Sequence, residues 1–363
     1  MPATTQVTTI ALPALLDFSY YTFIHLQFIY LSRMRSQTFW GLVAAILSIT
    51  FRNVAAAPGY FIDEESCTEA QRTAVQNVLD GTFEMATAGL QNGANAKEDN
   101  PQQKLIDNLF GVEPATTDPK FGVKAAINAK FTSILRLKDN RLKTNDELQP
   151  NTISDNVKIY CDERRLQIRK RNPLQSFDRD VGEVKATGDC LTAVAWAGQT
   201  DRSFAQLQIC PKLMKRILVD DFKTTAKLPP SLWAKLVSNF ITTVGKISYA
   251  PIDRVQLSDK VLLHELTHLN IGGLTDDVGG FFKAYGWKNC RKLSMVTENK
   301  LTLGGLGNAD SWALYGSVSL LIRDVGKTVD AETGNIINIA PPTTKRALDA
   351  IKSAAGYWRR FVA

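Results

Sequence analysis

Along the chain, the apolar and polar positions divide into a hydrophobic leader and a patterned body. Met34-Arg35 is followed by an apolar run from Phe39 to Ile49, and then by Val54-Ala-Ala-Ala57 before Pro58. A short basic segment, an apolar run and a small-residue site together make a secretory signal starting at Met34, cleaved after Ala56 or Ala57. Ile10 to Leu31 is also apolar and aromatic but carries Asp17 and His25. It reads as an over-extended start, with a signal anchor as the alternative if translation begins at Met1. Beyond the leader, Thr68 to Leu90 has apolar residues at helical spacing, Gly93-Ala-Asn95 breaks it, and Phe121 to Leu137 resumes it. Lys143 to Ser154 is polar and loop-like. Asn156 to Cys161, Leu191 to Ala197 and Phe204 to Cys210 favour strands, the last two paired as a hairpin around Gly198 to Arg202. Helices return at Lys212 to Phe222 and Pro230 to Val244, and again around Val261 to Asn270.

Helices, then a small sheet, then helices predict an α+β fold that is mainly helical. The expected divisions are a leader over 1–57, a main domain over 58–325 and a C-terminal extension over 326–363. The domain comprises a helical part, 58–150, and a core, 151–325. At 44% apolar and 22% charged, the 363 residues have an ordinary globular composition. The formal net charge of +7 is spread along the chain, densest from Arg164 to Arg171, and reads as a solvated basic face rather than a nucleic-acid site. All five cysteines lie beyond the cleavage site, and none has metal-ligand spacing to another. In an oxidising compartment four of them pair. The expected bridges are Cys67 with Cys161 and Cys190 with Cys210, leaving Cys290 free or intermolecular.

The chemistry is concentrated in Val261-Leu-Leu-His-Glu-Leu-Thr-His-Leu-Asn270. His264 and His268 are i and i+4, so one helix face presents both imidazoles to one metal ion. Glu265 stands one position round from the first ligand, placed to take a proton from water bound at that ion. Ser258 and Asp259 are expected to cap the helix, with Gly272-Gly273 ending it. The chain has three histidines, and the third, His25, falls in the leader. The remaining protein ligand must then be a carboxylate or a thiolate. Asp277, in the glycine-punctuated turn Gly273 to Gly280, is preferred over Glu298, which has no such turn beside it.

The chain resembles the deuterolysin family of fungal secreted zinc endopeptidases, the aspzincins, which includes the peptidyl-lysine metalloendopeptidases. Three blocks in order carry the likeness: HELTH from His264, GLTDDVGG from Gly273 and NADSWALYG from Asn308. The resemblance covers roughly Asp189 to Val325. It implies a zincin-like fold, one zinc ion held by His264, His268 and Asp277, and Glu265 as the general base. It also implies a site-lining Asp310, whose bare alternative is a helix-start aspartate facing the dipole. Gly280 stands where the family has a tyrosine, and Tyr285 replaces that residue if the loop folds back. Ala313 stands where the lysine-specific branch has an acid, so a strict lysine preference is not implied.

The expected function is secreted zinc-dependent endopeptidase. The alternative is a secreted zinc-binding protein with a retained metal site and little proteolysis. Protein or peptide substrates are expected, with no specific nucleic acid, no membrane anchor once the signal is removed, and a monomeric state.

Overall fold

The computed structural model describes residues 58–112, 122–144, 148, 156–168, 175–178, 182–185, 190, 193–198, 204–219, 250–254, 257–296 and 304–339. All belong to one compact unit, Ala57–Ala363. The leader, the predicted helix at 230–244, the basic tail beyond 339 and Glu298 lie outside the described residues.

The fold is mixed α+β, mainly helical with a small sheet. After strand β1 (Tyr60–Ile62), helix α1 (Glu69–Asn95) starts at a capping box: Thr68 accepts from the Gln71 N–H, and the Gln71 side chain returns the bond. The predicted break at Gly93 does not occur. The helix runs on to Asn95 because Gly93 is buried against Ile127 of helix α3 (Val123–Lys138), where a side chain does not fit. Between them lies α2 (Pro101–Phe110), with Asn100 at its N-cap and proline in its first turn. The hydropathy pattern leaves β1 unassigned; the stretch from Cys67 to about Asp139 reads as helical with polar breaks, without bounds for α2.

Strands β2 (Val157–Tyr160), β6 (Ala195–Gly198) and β7 (Ala205–Ile209) join β1 in a sheet of order β1-β2-β7-β6. The β6–β7 hairpin is antiparallel as expected, pairing Ala195 with Ile209. The β1–β2 and β2–β7 pairs are parallel, joined by crossovers that the order of elements did not reveal. Strands β3 (Leu166–Ile168), β4 (Gln175–Asp178) and β5 (Gly182–Lys185) form a separate antiparallel meander. Helix α4 (Pro211–Val219) follows β7.

The C-terminal part carries α5 (Ser258–His268), α6 (Phe281–Ala284), α7 (Trp287–Ser294), α8 (Ala309–Val325) and the hairpin β8 (Lys327–Val329) with β9 (Ile336–Asn338). The last two strands fall in the region expected as a C-terminal extension. Helix α8 packs on α1, α2 and α5. Trp312 and Tyr315 of α8 meet Phe110 and Phe131, with Phe131 stacked on Tyr315 at 5.8 Å. These four rings are almost fully buried and form the aromatic centre of the core.

Disulfides join Cys67 to Cys161 and Cys190 to Cys210, the pairs expected, and fit an oxidising environment. Cys290 is free but buried, so it is not open to another chain. Arg165 departs from the solvated-face expectation. It is buried, its guanidinium lies 3.4 Å from the Tyr160 ring centre and it bonds Gln208. No helix among the described residues is long and apolar enough to cross a membrane.

Candidate metal centre

Helix α5 forms because Leu262, Leu263 and Leu266 are buried on one side of it, where α1 and α8 pack. Its start differs from expectation. Leu257 occupies the N-cap without a side-chain bond, and Ser258 and Asp259 are buried inside the first turn. The α-helix ends at His268, followed by a 3-10 turn, Asn270–Gly272, and Gly273 in the left-handed region at φ 83°. This reversal passes tightly over the helix end: a Cβ on Gly272 lies 2.0 Å from the Leu266 carbonyl oxygen. Only glycine fits there. The chain then runs back along the last turn of the helix, where the Thr275 N–H bonds the Thr267 carbonyl.

That return brings three side chains together. His264 Nε2 and His268 Nε2 are 3.1 Å apart, and Asp277 Oδ1 lies 3.3 Å from the first and 3.8 Å from the second. His264, His268 and Asp277 form a cluster that can hold a metal ion. His268 Nδ1 is 2.9 Å from the Thr275 carbonyl oxygen. A carbonyl only accepts, so Nδ1 carries the hydrogen and Nε2 presents its lone pair to the cluster. Asp277 Oδ1 is buried and makes no aligned hydrogen bond. Its other oxygen accepts from the Tyr285 hydroxyl at 2.7 Å. The chain does fold back at α6: Tyr285 stacks on His264 with ring centres 5.2 Å apart, although its backbone lies five residues beyond Gly280.

The electrostatics follow from this packing. Burial works against the Asp277 carboxylate, but His264, Tyr285 and His268 outweigh it and hold Asp277 below the usual carboxylate range. Burial, reinforced by the neighbouring His264, lowers His268 and favours the neutral ring that a metal needs. Burial also opposes charge on His264, yet Asp277, Glu265 and Asp310 together raise it. Glu265 faces the sheet side of the helix. Burial pushes it up to about 7, against the pull of His264 and a backbone hydrogen bond from Ala197 of β6. A carboxylate poised there exchanges protons near neutrality.

No family model and no curated protein matches this chain.

Asp310 is buried in the first turn of α8. Its Oδ1 lies 3.2 Å from Lys260 Nζ and 3.8 Å from His264 Nδ1, and its Oδ2 accepts from the Gly286 N–H at 2.7 Å. It therefore faces a histidine of the cluster from the first turn of a helix. Asn308, just before it, pins the Asp277 turn: its Oδ1 accepts from the Val278 N–H, and the Asp276 main chain pairs with Gly307 and Ala309. Asn308, Thr275, Lys260 and Asp253 were not singled out by sequence. Lys260 carried a signal, standing one helical turn before His264. Asn308 opened one of the three quoted blocks.

Proposed function

We propose that this protein is a secreted zinc-dependent endopeptidase of the aspzincin type, with His264, His268 and Asp277 holding the ion and Glu265 as general base. The triangle of donor atoms, with edges of 3.1, 3.3 and 3.8 Å, carries this reading. Zinc–ligand bonds of about 2.0–2.1 Å in tetrahedral array put donors about 3.3–3.4 Å apart. Two imidazoles and one carboxylate suit zinc, and three protein ligands leave a fourth position for water. When bound, zinc acts as a Lewis acid on the scissile carbonyl and makes its water acidic near neutral pH.

The protein's own groups do the rest. Glu265 takes the proton of the attacking water and returns it to the leaving amine. Tyr285 holds Asp277 through its hydroxyl and supplies the phenol donor that Gly280 lacks. Strand β6 is an outer strand of its sheet among the described residues and lies against α5. An extended peptide laid along it passes Glu265 by strand addition. Ala313 is buried in α8, and Asp310 is occupied by Lys260 and Gly286, so neither offers an acid to a substrate lysine. Secretion is proposed from the leader sequence and accords with the two disulfides. Gly280 favours the alternative of a zinc-binding protein without catalysis; Tyr285 at the site and the retained Glu265 weigh against it.

Glu265→Gln tests the proposal. Zinc content is expected to stay near one per chain while hydrolysis of denatured casein falls by roughly a hundred- to ten-thousandfold. Chelation of the wild type is expected to abolish activity. Equal activity in variant and wild type rejects the mechanism.

A further inference from the structure

Lys260 has no part in the chemistry above, yet its side chain is almost wholly buried, one helical turn before His264. An ammonium taken out of water costs several kcal/mol unless its partners are well placed. Its partner Asp310 is at 3.2 Å, held as an ion pair rather than as an aligned hydrogen bond, and the charge of Asp253 also acts on it.

What those two carboxylates hold is more informative than the pair itself. Asp310 Oδ2 accepts from the Gly286 N–H and Asp253 Oδ1 from the Trp287 N–H, each at 2.7 Å. Two consecutive main-chain donors, immediately after Tyr285, are thus gripped by two buried carboxylates, of which Asp310 pairs with Lys260. The chain turns there at Gly286, φ 87°, where a Cβ lies 3.1 Å from Asp253 Oδ2. Tyr285 then reaches back to Asp277 and stacks on His264. Asp310 Oδ1, the oxygen facing Lys260, is also the oxygen facing His264 Nδ1.

We infer that Lys260 is a positioning residue of the metal centre: through Asp310 it sets the His264 ring and the turn at Gly286 that places Tyr285 on Asp277. This rests on the proposed metal site. Without the ammonium, the buried Asp310 carboxylate lacks its cation, and its hold on His264 and on the Gly286 turn loosens together.

The test is zinc affinity, measured on the full chain by competition with a chromophoric chelator, with the visible absorption of the cobalt-substituted protein as a second readout. Lys260→Met is expected to weaken zinc ten- to hundredfold, as losing a group that orients a metal ligand does, and to shift the cobalt bands. Lys158→Met, which breaks a buried lysine–aspartate pair elsewhere, is expected to lower stability and leave affinity and bands unchanged. Lys260→Met/Asp310→Asn removes both charges, so it is expected to recover stability but not affinity, and it carries the test if the single variant does not fold. Wild-type affinity in Lys260→Met or in the double variant overturns the role, as does equal weakening by Lys158→Met. A wild type that binds no zinc rejects the metal site itself, and this role with it.

Discussion

Two buried lysine–aspartate pairs, Lys158 with Asp63 and Lys260 with Asp310, have nearly the same length, 3.1 and 3.2 Å, and nearly the same burial. Their company differs. Lys158 lies over the rings of Tyr160 and Phe204, and the second oxygen of Asp63 accepts from the Ser66 N–H in the turn before Cys67. These partners lie in or beside the sheet and the Cys67–Cys161 disulfide. Asp310 instead spends its second oxygen on Gly286 and turns its first towards His264 as well as Lys260. The interaction is the same and its desolvation cost is comparable. What a buried pair does is therefore set by what the carboxylate holds besides its lysine.

The strongest way to sharpen this contrast is at the third ligand. Asp277→Ala is expected to weaken zinc by more than the ten- to hundredfold typical of losing an orienting group, and by about as much as His268→Ala. Asp276→Ala is expected to do less, because Asp276 is exposed and its side chain accepts from the neighbouring Asp277 N–H. Zinc retained in Asp277→Ala, by titration of the purified variant, rejects the ligand set.

At the sheet end the expected effect is on stability alone. Asp63→Ala strands a buried ammonium and is expected to cost about 3–5 kcal/mol in denaturant unfolding, with zinc affinity unchanged. A loss of zinc there breaks the contrast between the two ends.

The smallest effect concerns Glu265 in chelator-treated protein. Its folded pKa, about 7, is raised from 4.5, so between those values the folded state binds more protons than the unfolded state, and stability falls as pH rises. Above pH 7 the loss is complete. Glu265→Gln lacks this term, and its thermal midpoint is expected to exceed that of the wild type at pH 8 and to approach it near pH 4.5. A gap that widens towards acid reverses the sign and places the raised pKa elsewhere.

Local patterns made much of the molecule legible in advance. Helical spacing placed α1, α3 and α5, alternation and turn residues placed the β6–β7 hairpin, and i, i+4 spacing put His264 and His268 on one face. These depend on neighbours within a turn or a hairpin, which is the range that sequence periodicity covers. Strand β1 was missed, since three residues are too few to alternate, and α2 fell in a stretch that read as helical but was not bounded, since its cap is its main mark. The parallel pairing of β1, β2 and β7 was hidden for another reason, since among the described residues three helices separate β1 from β2 and four strands separate β2 from β7.

The sequence by itself determined the donor types, their spacing on one helix and the turn that supplies a carboxylate. Tertiary structure alone decided that Tyr285 rather than a residue at Gly280 stands on the cluster, and that Asn308 pins the Asp277 turn. It also decided that a buried lysine pairs with Asp310, which faces His264. These contacts join residues 8 to 50 positions apart through long-range packing, and no periodicity in one dimension encodes which of many polar side chains burial will bring together.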